Sequence, residues 1–165
     1  MATASELLKT YLQDHHAGSV VGVELAKRSA DSNSDWSHGA EIADLRDEIA
    51  TDREALERVM DHLGVSPSKV KDGLGWTGEK LGRLKPNDHL LTRSPLSRVI
   101  ELEGLVVGVT GKGALWHALR TAIGDSIGGV DIAELSARAD SQCSRLETLR
   151  RAAAAEAFAA AGTQA

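Results

Sequence analysis

Apolar residues recur along this chain at alternating spacings of three and four, the period of one face of an α-helix, in four long stretches. The first is expected over about 4–30. It opens at a capping box, Thr3 with Glu6 three residues on, and carries Leu8, Tyr11, His15, Gly18, Gly22 and Leu25 on one stripe. There Gly18 and Gly22 would let a neighbouring helix approach closely. The second, about 36–63, places Ile42, Leu45, Ile49, Asp52, Leu56, Val59 and Leu63 in register and stops at Gly64. The third, about 95–123, starts at Ser94-Pro95, an N-cap followed by a favoured first-turn proline. Gly104, Gly108, Gly111 and Gly113 lie inside it and call for close packing to offset their cost. The fourth, about 131–161, begins at Asp131 with Glu134. Its stripe is Ile132, Leu135, Ala139, Gln142, Leu146, Leu149 and Ala153.

The polar run Asp31 to Asp35 and the glycines from Gly124 to Gly129 are short turns, so helices one and two, and three and four, form antiparallel hairpins. Residues 65–94 differ. A connection this long, with a short helix expected over about 67–84, can run the length of helices about 42 Å long. The expected fold is therefore all-α: a single domain over 1–165, built as a four-helix bundle of two hairpins with a long, partly helical crossover between helices 2 and 3.

Composition agrees with helices. Ala and Leu are abundant, while aromatics are limited to three Trp, one Tyr and one Phe. With 19 Lys and Arg against 24 Asp and Glu, the net charge of -5 excludes a general nucleic-acid binder, which needs a basic face. Leu102 to Leu119, the most apolar stretch, is interrupted by Glu103, Lys112 and His117, so no membrane span is expected. Lone Cys143 and a start without a basic and apolar leader point to a cytoplasmic location.

Two stripes carry an ionisable residue at mid-helix. Taking the first turn to centre near Asn33 and Ser34, His15 and Asp52 are equally far from it, so a buried polar pair at one level is expected. Its role is to fix helix register. The third helix offers Glu103, Thr110 and His117 on one face, and a crossover along the bundle brings Glu103 level with Glu24. The run Gly111-Lys112-Gly113 lacks the upstream glycine, the following Ser or Thr and the preceding strand of a phosphate-binding loop. Cys143 reads as a small core residue, and His16, His62 and His89 read as surface histidines. Trp116 beside His117 reads as packing. Lys69, Lys71, Lys80, Arg83 and Lys85 make the crossover locally basic; it reads as a solvated connection with Trp76 pinned to the core, the alternative being an anionic docking surface.

Three segments bear a family resemblance: Tyr11-Leu12-Gln13-Asp14-His15-His16-Ala17-Gly18, Gly78-Glu79-Lys80-Leu81-Gly82-Arg83, and Ser94-Pro95-Leu96-Ser97-Arg98 leading into Glu101-Leu102-Glu103. Over roughly Leu7 to Arg120 the chain resembles small ferritin-like proteins of high-GC bacteria to which no activity is assigned. The resemblance implies the ferritin-like bundle and no particular chemistry. A di-iron centre in that fold takes a Glu from each of two helices and Glu-x-x-His from each of the other two, and this chain has no Glu-x-x-His. The expectation is therefore a non-catalytic bundle without a cofactor, acting through its surface as a homo-oligomer or an accessory subunit. The alternative is a divergent metal-binding or oxidoreductase bundle holding iron or another transition metal on His15, Glu24, Asp52 and Glu103.

Overall fold

The computed structural model describes residues 3–68 and 94–159. Among them are four long helices: α1 (Ala4–Ser32), α2 (Gly39–His62), α3 (Pro95–Ala122) and α4 (Ile132–Phe158). The two short strands β1 (Ser126–Ile127) and β2 (Val130–Asp131) join α3 to α4. The architecture is an all-α bundle, as the periodicity predicts.

Local chemistry sets the boundaries. At the start of α1, the Thr3 side chain accepts from the Glu6 N–H at 3.2 Å, while the Glu6 carboxylate accepts from the Thr3 N–H at 2.7 Å. The expected capping box is thus complete. Ser94 Oγ accepts from the Leu96 N–H at the start of α3, with Pro95 in the first turn, and Asp131 caps α4 by accepting from the Glu134 N–H at 2.8 Å. α2 ends in a Schellman motif. Gly64 adopts φ +68°, the Val65 N–H donates to the Met60 carbonyl and the Gly64 N–H to that of Asp61. Buried Val65 and Met60 then pack in one cluster, the apolar contact that accompanies this cap. The turn expected over Gly124 to Gly129 is present, and its pairing of β1 with β2 is an addition to that expectation. Gly128 and Gly129 both take positive φ, which suits the two-residue turn whose twist matches a hairpin, and it turns Ile127 and Val130 inward.

Side-chain contacts fix the directions of the helices. Arg98 near the start of α3 donates to Asn33 Oδ1 at the end of α1 (2.8 Å), whereas Leu7, Leu8 and Tyr11 of α1 share a hollow with Ala118, Leu119 and Ala122 of α3. α1 and α3 are therefore antiparallel. At the opposite end, Gly128 is so close to His62 that an added Cβ would stand 2.6 Å from the ring. α2 thus finishes beside the β1–β2 hairpin, and α3 starts at the other end, beside the α1–α2 turn. The expected short helix over 67–84 lies outside the described residues apart from its first two positions, Pro67 and Ser68, which are not helical.

The turn end is fastened by one cluster. The Arg98 guanidinium lies 4.4 Å over the Trp36 ring and donates to Glu156 at 2.9 Å, and Trp36 Nε1 donates to the same carboxylate. Two apolar layers fill the bundle. One holds Leu12, Leu56, Val59, Met60, Trp116, Leu119 and Leu135 near the hairpin, the other Leu25, Ile42, Leu45, Leu102, Leu105, Leu146 and Leu149 near the turn. Between them lies a polar layer.

The α2 and α4 stripes are those the sequence predicts, with Leu63 only half-buried. α1 is rotated from its expected face. Leu12, His16, Leu25, Ala26, Ser29 and Ala30 are buried, and His15 and Tyr11 sit at the edge. Gly18 and Gly22 have nothing within 4 Å of an added Cβ, so they do not provide the close approach expected of them. That role falls to Gly104, where a Cβ would meet Leu25 Cδ2 at 2.9 Å.

Candidate functional site

Asp52 enters the interior because its position on α2, three residues after Ile49 and four before Leu56, belongs to the buried stripe. Its side chain is completely buried. An unpaired carboxylate there would be costly, and α3 and α4 supply the partners. Lys112 Nζ donates to Oδ2. Arg138 donates to Oδ1 through Nε at 2.8 Å and through Nη2 at 2.6 Å, and Gln142 Nε2 donates to Oδ2 at 3.1 Å.

The network extends toward the turn end. Gln142 Nε2 also donates to Glu48 Oε2 at 3.0 Å, and its Oε1 accepts from Lys112 Nζ, so both ends of this fully buried amide are used. Arg145 donates to Glu48 at 2.7 Å and to Glu41 at 3.4 Å. On the α2 face the charges are acidic, at 41, 48 and 52; on the α4 face they are basic, at 138 and 145. Lys112 completes a balance of three carboxylates against three cations.

Electrostatics follow the geometry. Burial pushes the Lys112 ammonium below the ordinary lysine value, against the Asp52 charge and hydrogen bond that hold it up. Burial alone would raise the Glu48 carboxyl, but hydrogen bonds from Arg145 and Gln142 and the charges of Arg145 and Arg138 leave it below its ordinary value. The Glu48 hydrogen bond in turn raises Arg145.

A lysine with a lowered pKa is chemically a nucleophile. Here, however, Lys112 Nζ donates to both Asp52 and Gln142, and attack on a substrate requires it to leave them. Two surface hollows, of about 180 Å³ and 250 Å³, are lined by Glu57, Met60, Asp61 and Pro67, and by Leu7, Leu8, Tyr11, Ala118, Leu119 and Ala122. Neither includes a residue of the network. What the arrangement does is hold α2, α3 and α4 at one height.

Compared with known proteins, the chain matches no family model, no curated protein and no solved structure.

The residues singled out in the sequence are placed differently from expectation. Asp52 has the expected depth but another set of partners. His15 is half-buried with its ring edge-on to Tyr11, centroids 4.6 Å apart, and burial lowers its pKa. The imidazole facing α2 is that of His16, 5% exposed and 3.3 Å from Glu57, although His16 reads as a surface residue in the sequence. The cause is a displaced turn. α1 continues to Ser32 and Asn33 to Trp36 close a folded loop, so His16 and Glu57 are equidistant from a point between Trp36 and Ser37. Asp52 therefore comes level with Val21.

Glu24 and Glu103 are both solvent-exposed, and Glu103 stands 3.6 Å from Arg150. The structure does not gather His15, Glu24, Asp52 and Glu103 around a shared point: Asp52 is closed off by two cations, and the glutamates face outward. Among the described residues no three His, Cys, Asp or Glu side chains are grouped so as to hold a metal ion. Thr110 and His117 are exposed as well, with Thr110 Oγ1 3.6 Å from the half-buried Cys143 Sγ. No described helix is long and apolar enough to cross a membrane. The basic docking set Lys69, Lys71, Lys80, Arg83 and Lys85 lies outside the described residues.

Within the network, Lys112, Arg138 and Arg145 are not anticipated by the sequence. A signal for Lys112 existed: 102, 105, 109, 112, 116 and 119 form a stripe of alternating threes and fours in which Lys112 is the one charged member.

Proposed function

We propose that this protein is a non-catalytic helical bundle of ferritin-like topology that works through its surface, as a homo-oligomer or an accessory subunit. The observation that carries this reading is the self-contained interior. Asp52, Lys112, Arg138, Gln142, Glu48 and Arg145 satisfy one another across three helices, leaving the carboxylate at the centre of the bundle no free edge toward a substrate or an ion. An arrangement of this kind specifies which helices pair and at what height, and adds little net stability over an apolar layer.

The ferritin-like topology is supported by the ends of the helices. α2 finishes at the hairpin end and α3 begins at the turn end, which is what a long crossover between two antiparallel hairpins requires. Surface action is supported by the apolar side chains that α3 presents outward, Leu96, Ile100 and Val107.

The test is elemental analysis with an absorption spectrum, on protein purified in air and again after iron supplementation. Substoichiometric metal and a featureless visible spectrum are expected. One or two tightly held metal ions per chain would overturn the non-catalytic reading in favour of the metal-binding alternative.

A further inference from the structure

No described element covers the outer arc of α3. Leu96, Ile100 and Val107 are 46%, 38% and 70% exposed, Ala114 and Ala118 are exposed, and Gly111 is half-exposed. Positions 96, 100, 107, 111, 114, 118 and 122 fall on one side of the helix. Their sizes are not evenly distributed: the large side chains occupy the first half of the helix, and glycine and alanine the second.

From this we infer that the outer face of α3 is the interface of a two-fold homodimer, with the α3 helices of two copies packed antiparallel about a point near Val109. The inference rests on the surface-acting reading above and names its partner as a second copy of this chain. An antiparallel pairing sets Leu96 against Ala122, Ile100 against Ala118 and Val107 against Gly111 of the other copy, large against small, with Ala114 against Gly104 a pair of small residues, and a two-fold axis repeats every contact. A parallel pairing sets large against large and leaves a void at the alanine end.

Two further features agree. The 250 Å³ hollow lined by Leu7, Leu8, Tyr11, Ala118, Leu119 and Ala122 flanks the alanine end of α3, where the Leu96 side chain of the second copy arrives. Leu7, 61% exposed, forms its apolar rim on α1. Glu103 in the first half and His117 in the second lie at the edge of this face, both exposed, with Arg150 and Asp140 of the same chain beside them at 3.6 Å and 3.8 Å. Antiparallel pairing keeps the two Glu103 carboxylates about 18 Å apart along the helices, whereas parallel pairing sets them side by side.

The strip is about 42 Å long and about 10 Å wide, so pairing removes roughly 900 Å² in total, in the range of weak, reversible interfaces. Sedimentation equilibrium from about 1 µM to about 200 µM should therefore show a monomer–dimer equilibrium with a micromolar Kd. Val107→Glu puts two carboxylates near the axis and should raise Kd by about tenfold or more, with helical circular dichroism and melting temperature unchanged because the residue faces solvent in the monomer. In a Cys143→Ser background, the pair Leu96→Cys and Ala122→Cys should oxidise to a covalent dimer. The two positions lie about 39 Å apart on one helix, so no disulfide can form between them within a single chain.

The mass of a single chain throughout that range overturns the inference, while the accessory-subunit reading survives. A dimer whose Kd ignores Val107→Glu and which gives no cross-link also overturns it, and leaves a homo-oligomer built on another face. A monomer whose melting temperature falls on Val107→Glu means that its own chain covers the face, and this too overturns the dimer.

Discussion

Asp52 and Glu57, both on α2, each meet nitrogen donors from other helices, and the two sites differ in what surrounds them. Asp52 is completely buried and takes hydrogen bonds from Lys112, Arg138 and Gln142, side chains of two other helices. Glu57 is 40% exposed on its side chain and is shared by His16, from α1, and by Arg53, one turn earlier on α2. Water can replace whatever partner Glu57 loses, and it cannot easily replace those of Asp52. Depth and the number of donors, rather than the presence of an ion pair, therefore decide how much each site matters to the fold.

The largest effect should follow from breaking the deeper site on one side. Asp52→Ala leaves Lys112 and Arg138 facing each other without their anion, and should cost about 3–5 kcal/mol. For a chain of this size that corresponds to a fall in melting temperature of about 10 °C or more. Lys112→Met should cost less, because Arg138 and Gln142 still bond to the carboxylate. Combining Lys112→Met with Asp52→Ala should recover part of the sum, with a coupling of about 1–3 kcal/mol in a double-mutant cycle. Additive losses within about 0.5 kcal/mol would show that the two side chains do not act as a unit.

The shallower pair should respond far less. Glu57→Gln keeps the shape of the side chain and most of its hydration, and should change unfolding free energy by about 1 kcal/mol or less in urea titrations. A loss as large as that of Asp52→Ala would erase the distinction drawn between the sites.

The same contrast explains what could be read from the sequence. α4 was legible in full, since Ile132, Leu135, Ala139, Gln142, Leu146, Leu149 and Ala153 are apolar or small, apart from one amide, and nothing competes with that stripe. Asp52 was legible as buried for the same reason, surrounded by Ile49 and Leu56 on a clean helix. Its partners were not, because pairing depends on where the turn is centred and which face α1 presents. α1 offers two nearly equivalent stripes, one through Leu8, Tyr11 and His15 and another through Leu12 and His16, and a rotation of one residue exchanges them. Lys112 was hidden by its neighbours. Gly111 and Gly113 on either side of it draw the eye to close packing and away from the charge between them, and buried Gly113, whose added Cβ would lie 3.6 Å from Ala139 Cβ, helps bring α3 close to α4. Charge complementarity between 41, 48 and 52 on α2 and 138 and 145 on α4 becomes a signal only once those two helices are known to be neighbours.

The smallest effect concerns acid, where the outer part of the network separates from its centre. The Glu48 carboxyl is held below its ordinary value in the folded state by Arg145 and Gln142, despite the opposing effect of burial. A carboxylate whose folded pKa is depressed contributes stability that is fully present above its unfolded value, near 4.3, and is lost as pH falls through the lower folded value. Glu48→Gln removes that titration, so its difference in stability from wild type should be greatest near neutrality and shrink toward pH 2, as followed by thermal melts. Lys112 acts in the opposite pH range. Its depressed pKa means that the unfolded chain holds the proton more tightly, so its contribution makes stability rise with pH from the folded value up to about 10.4. Lys112→Met should flatten that alkaline slope and leave the acid limb unchanged, whereas Glu48→Gln should do the reverse. If either variant altered both limbs equally, the network would titrate as one body, and the division between a sealed centre at Asp52 and a hydrated flank at Glu48 would be lost.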